Sequence, residues 1–179
     1  QPWSLVIEGG YSAECSEWDL GASAILDGEE ISQASGPGVL HIRDGNTALI
    51  SVHTKITVDG VTLQNGSAPS YGGVDVYSQY GTVILENNVI KENQATTSSG
   101  GGLYAVAISG NLLFTNNIVS DNTAYHYAGA FLQSSGVIEV TNNTFAGNIG
   151  NTFNGNGGGL YIYQADDAAQ AEFYNNIFF

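Results

Sequence analysis

Arg43, Lys55 and Lys91 are the only Lys and Arg side chains in the 179 residues, against 17 Asp and Glu. Abstracting a proton α to a carboxylate needs such a base beside further positive groups, and these three sit on different repeats in no visible cluster. Acid–base cleavage of a glycoside needs two or three converging carboxylates. Asp166-Asp167 is the only Asp-Asp pair, and between Tyr163 and the Ala-rich stretch 168–171 it reads as a solvated turn. His41, His53 and His126 are isolated and lack metal-ligand spacing, so they read as surface or coil-filling residues. No Ser–His–Asp set can be assembled, and the Gly-rich run from Gly155 to Gly159 lacks the Lys and helix of a phosphate loop. Catalytic and metal-ligating residues are therefore not assigned, and binding or scaffolding is favoured over catalysis.

Charge narrows the partners. A net charge of −14 argues against nucleic acid and anionic membrane surfaces. The carboxylates could recruit calcium, but no EF-hand or Gly-Gly-x-Gly-x-Asp array supports it, and no cofactor is expected. Cys15 is alone, so an intrachain disulfide is excluded. No apolar run is long enough to insert into a membrane.

The elements that carry these residues are short strands and tight turns. Gly numbers 24, Pro 3 and Met 0, and charged residues are 11 % of the chain, less than half the usual share. No stretch free of Gly and Asn is long enough for a stable helix. Leu85-Glu86-Asn87-Asn88, Phe114-Thr115-Asn116-Asn117, Val140-Thr141-Asn142-Asn143 and Phe173-Tyr174-Asn175-Asn176 share one pattern, the second Asn recurring at spacings of 29, 26 and 33. Asn93, Asn122 and Asn148 follow five residues behind the first three. A second landmark, a pair of small residues, ends at Gly73, Gly102, Gly129 and Gly159, at spacings of 29, 27 and 30. Two landmarks keeping one period describe a solenoid with two or three short strands per coil, successive coils stacking in parallel about 4.8 Å apart.

Stacking assigns the columns. Leu85, Phe114, Val140, Phe173 and Ile90, Val119, Phe145, Phe178 point inward. Asn88, Asn117, Asn143, Asn176 and Asn93, Asn122, Asn148 fall at turns, where Asn tolerates left-handed backbone, and form structural amide ladders. Asn65-Gly66-Ser67 and Asn142-Asn143-Thr144 fit the glycosylation sequon but read as turns. After each Gly landmark, strand alternation sends Val74/Val76, Leu103/Ala105, Ala130/Leu132 and Leu160/Ile162 inward. It sends Asp75/Tyr77, Tyr104/Val106, Phe131/Gln133 and Tyr161/Tyr163 outward. Tyr77, Tyr104, Phe131, Tyr161 and Tyr163 thus form an outer aromatic stripe, the candidate ligand-binding face for a carbohydrate or protein.

Residues 1–45 read as N-terminal coils or a capping region, and 46–179 as regular coils of the same all-β domain, with insertions at 96–100 and 148–157. Asp27-Gly28, Asp44-Gly45 and Asp59-Gly60 close apolar strands in the early part. The chain reads as a trimmed segment of a longer solenoid, and its bare last coil as a site for end-to-end self-association.

The FxxN units Phe114–Asn117, Phe173–Asn176 and Phe145–Asn148, with Gly101-Gly102-Leu103 and Gly158-Gly159-Leu160, resemble the repeats of chlamydial polymorphic outer membrane proteins. They also resemble bacterial right-handed parallel β-helix surface proteins of the pectate-lyase-like superfamily. The resemblance covers nearly the whole chain and implies a right-handed parallel β-helix, secreted or at the surface of a bacterium, with an adhesin-like role. It also implies the alternative of a carbohydrate-active enzyme. Asp166-Asp167 is similar to the paired Asp of polygalacturonase-like enzymes, without their accompanying Asn-Thr-Asp, Gly-His-Gly and Arg-Ile-Lys.

Overall fold

The computed structural model describes residues 4–9, 24–28, 38–44, 55–151, 157–166 and 170–179. Among these every regular element is a strand, and every strand pairing is parallel. One coil shows why. Val74–Ser78 (β7) alternates Val74 and Val76 into the interior, and a turn at Gly81 leads into Thr82–Glu86 (β8), which buries Val83 and Leu85. Asn87-Asn88 turns the chain into Val89–Lys91 (β9), and Glu92-Asn93 turns it again into Gln94–Ala95 (β10). Each strand is too short and too one-sided to be stable alone. The next coil, repeating the pattern, pairs with all four.

The earlier strands are Ser4–Glu8 (β1), Ala24–Asp27 (β2), Leu40–Arg43 (β3), Lys55–Asp59 (β4), Val61–Gln64 (β5) and Ser67–Ala68 (β6). The later ones are Leu103–Ala107 (β11), Leu112–Thr115 (β12), Ile118–Ser120 (β13), Thr123–Ala124 (β14), Ala130–Ser134 (β15), Val137–Thr141 (β16), Thr144–Ala146 (β17), Ile149–Gly150 (β18), Leu160–Gln164 (β19), Gln170–Tyr174 (β20) and Ile177–Phe178 (β21). They build four sheets along the solenoid. Sheet I is β3-β7-β11-β15-β19, sheet II β1-β4-β8-β12-β16-β20, sheet III β2-β5-β9-β13-β17-β21 and sheet IV β6-β10-β14-β18. The coil therefore has four sides, where the strand pattern anticipates two or three. The fourth is missed because its two-residue strands are too short to show a period. Three of its four strands bury an alanine, Ala68, Ala95 and Ala124, and the fourth, β18, is exposed. The strands on either side of residue 45 belong to the same sheets, β1 pairing with β4 and β3 with β7.

The interior columns coincide with the sheet register. Leu85 pairs with Phe114 and Phe114 with Val140, while Ile90 pairs with Val119 and Val119 with Phe145. All six are buried in one continuous apolar core. The columns end at Phe173 and Phe178 in the last coil, which are about half exposed.

Both Asn columns are hydrogen-bonded ladders. Asn88 Nδ2 donates to Asn117 Oδ1 at 3.1 Å, Asn117 to Asn143 at 3.1 Å and Asn143 to Asn176 at 3.0 Å. Asn93 donates to Asn122 at 3.0 Å and Asn122 to Asn148 at 2.9 Å. From Asn117 and Asn122 onward each carbonyl oxygen also accepts the backbone N–H of the Asn in the preceding coil, Asn88 and Asn93 accepting instead from Val61 and Gly66, and each amide nitrogen spends another proton on a backbone carbonyl. Left-handed backbone belongs to different residues. Asn87, Asn116, Asn142 and Asn175, first of each pair, have φ of 53–57°, while the ladder Asn behind them do not. Glu92, Asp121 and Gly147 take the left-handed position ahead of the second ladder. The turn bends the chain at one residue so that the next can aim its amide inward.

Candidate active face: an outer sheet with an aromatic ladder and a polar end

All five stripe residues lie on sheet I, in two outward columns. Register places Asp75, Tyr104, Phe131 and Tyr161 in the first, and Tyr77, Val106, Gln133 and Tyr163 in the second. Outward does not mean exposed. Phe131 is only 7 % exposed, Val106 2 % and Asp75 0 %, against 49 % for Tyr163. For Phe131 the cause is ring stacking along the solenoid axis. Tyr104 and Phe131 stack with centroids 4.6 Å apart and planes 7° apart, and Phe131 and Tyr161 at 5.6 Å and 12°. Ring faces are thus spent on one another along the axis.

Two further tyrosines cover the column from the corner before the sheet. Tyr71 lies 4.4 Å from Tyr104, and Tyr127 lies 5.1 Å from Phe131 and 4.4 Å from Tyr161. Both have left-handed backbone, φ 57° and 54°, which is uncommon for a bulky residue. Gly100 and Gly157 occupy the same corner in the alternate coils. A Cβ at Gly100 would lie 3.2 Å from the Tyr71 ring and 3.2 Å from Tyr104 Cβ, so a neighbour would have to give by a few tenths of an ångström, and the φ of 76° strains any side chain there. The covering tyrosines leave no mark in the one-coil repeat, because their corner alternates Tyr71, Gly100, Tyr127 and Gly157.

Burial pushes the Tyr104 hydroxyl up to about 12, with the neighbouring Tyr71 adding to the effect. Unfolded, a tyrosine loses its proton near pH ~10. Between about pH 10 and 12 the unfolded state has released a proton that the folded state keeps, so stability falls as pH rises through that window. Urea unfolding at stepped pH should show a steeper loss above pH ~10 for the native chain than for Tyr104→Phe.

The polar end of the face begins at β3. His41 and Arg43 are two residues apart on one strand and share its outer side, opposite Asp75 and Tyr77 on β7. Arg43 donates from Nε at 3.1 Å and from Nη2 at 2.7 Å to Asp75 Oδ2, and His41 Nδ1 lies 2.8 Å from the same oxygen. The Arg43 guanidinium stands 5.6 Å from the centre of the Tyr77 ring. The hydrogen bond to Asp75 raises the Arg43 pKa above its ordinary value. Asp75 Oδ1 is buried without a hydrogen-bond partner among the described residues. A charged oxygen left so is costly, and such exceptions call for an explanation.

This cluster corrects one expectation. His41 is not isolated, while Arg43 pairs with Asp75 and with no other Lys or Arg among the described residues. Lys91 instead pairs with Glu92 at 3.3 Å, and Lys55 starts a strand of sheet II. His126, the other histidine among the described residues, packs between Tyr125 and Tyr127. Asp166 is exposed, while His53, Cys15 and Asp167 lie outside the described residues. Among the described residues no group of three His, Cys, Asp or Glu is placed to hold a metal ion.

A parallel solenoid of four-sided coils with an aromatic and polar outer sheet defines the class of protein. The family model of the right-handed β-helix region matches residues 11–178, and the chain belongs to that family. No curated protein and no solved structure matches the chain.

Proposed function

We propose that this chain is an extracellular or cell-surface binding module, adhesin-like in role, with the outer side of sheet I as its recognition face. One observation carries the reading. A single side of the solenoid concentrates the aromatic ladder, the exposed Tyr163, Tyr77 and the Arg43–His41–Asp75 cluster. Tyrosine edges and hydroxyls combined with a guanidinium are the groups that dominate recognition surfaces. The FxxN repeats, which resemble those of surface adhesins, support the same role. Tyr77, held through its hydroxyl by Gln79, and the exposed Tyr163 stand in the column beside the ladder, where a ligand meets them.

Replacing both Tyr77 and Tyr163 by Ala should weaken binding to glycan arrays or to cell surfaces by about tenfold or more, the loss of one hot spot. Both side chains lie outside the core, so the melting midpoint should move little. Unchanged binding in the double variant would defeat the reading.

A further inference from the structure

We propose that Arg43 and His41 form a clamp for one ligand carboxylate flanked by a hydroxyl, as carried by a terminal acidic sugar. The inference rests on sheet I being the recognition face and names what its polar end reads. Asp75, fully buried, receives the Nε and one Nη2 proton of Arg43 on a single oxygen. The guanidinium is thereby fixed by its inner edge and backed by the Tyr77 ring. Among the described residues nothing occupies its outer edge, where Nη1 and the second Nη2 proton present two parallel donors. That fork matches the two oxygens of a carboxylate.

His41 supplies the complementary contact. Its Nδ1 lies 2.8 Å from the Asp75 carboxylate, which leaves Nε2 for a ligand hydroxyl, a group that can either donate or accept. The side chains of His41 and Arg43 are each 44 % exposed, so both outer ends are reachable. A ligand that accepts twice at Arg43 and sets a hydroxyl against His41 needs a carboxylate with a hydroxyl beside it. It must also carry few charges. A chain of −14 repels a polyanion over its whole length, whereas one carboxylate meets the guanidinium bridging it to Asp75. A terminal acidic sugar satisfies both conditions and a polyuronate does not.

The test is titration calorimetry on the whole chain with glucuronate, glucose and polygalacturonate as probes. Glucuronate should bind about tenfold tighter than glucose, the difference of one charge-assisted pair, and polygalacturonate should gain nothing per sugar. Arg43→Lys keeps the charge against Asp75 but loses the fork, and it should erase the preference for glucuronate. His41→Phe should weaken glucuronate binding while leaving the fold intact by circular dichroism. Equal binding of glucose and glucuronate, with both still lost in the Tyr77→Ala, Tyr163→Ala variant, would overturn the clamp and leave the recognition face standing. Glucuronate binding indifferent to Arg43→Lys would likewise overturn the clamp. If neither monosaccharide binds and glycan arrays are also blank, the clamp and the glycan reading of the face both fall.

Discussion

Asn117→Ala is expected to lower the unfolding free energy by about 3 kcal/mol, several times the effect of Asn176→Ala in the same ladder. Asn117 Oδ1 accepts both the backbone N–H and the side-chain amide of Asn88, while its own Nδ2 serves Leu85 O and Asn143 Oδ1. Alanine supplies none of these. Asn88 would be left with two buried donors lacking an acceptor, each such loss costing about 1–3 kcal/mol, and no water can enter a position 1 % exposed. Asn176 accepts the equivalent pair from Asn143. It stands in the half-open last coil, however, where water can replace the lost oxygen. Urea midpoints for the two variants measure the contrast directly, and equal shifts would mean that the amides do not act as a stack.

The ladder was legible because a solenoid repeats its environment once per coil, so a residue needed in one coil is needed at the same place in the next. Phe114 and Phe145, and the Gly column from Gly73 to Gly159, are visible for the same reason. What the repeat hides is any feature that depends on a one-residue offset or on two unlike coils. Asn116 and Asn117 look equivalent in sequence, yet one bends the backbone at φ 56° and the other fills the core. Phe131 looks exposed by strand alternation, but rings stacked along the axis, with Tyr127 laid across from the corner, bury it. The Arg43–His41–Asp75 cluster is hidden most deeply. β3 precedes the first Gly-Gly landmark, so its register against β7 cannot be counted from the repeat, and Asp75 alone reads as an ordinary surface acid.

The second large effect lies where the two landmarks meet. A Cβ built on Gly102 would sit 2.6 Å from Gly129 O and 2.8 Å from Asn122 Nδ2, and on Gly73 it would sit 2.3 Å from Gly102 O and 2.9 Å from Asn93. The glycine column is therefore the wall against which the second Asn ladder runs, which is why the two keep one period. Neither obstacle can give way, since one is backbone paired to the next coil and the other an amide committed at both ends. Gly102→Ala should then cost about 3 kcal/mol, at the upper end of overpacking, and should disturb both neighbouring coils. Gly159 holds the same place in the column, but its nearest obstacle is the ring of Phe178 at 3.3 Å, a side chain half exposed in the last coil and free to shift. Gly159→Ala should cost well under half as much. Thermal or urea unfolding of the two variants decides the matter: comparable losses would show that alanine is excluded for a reason common to all coils, and not by the amide ladder behind Gly102.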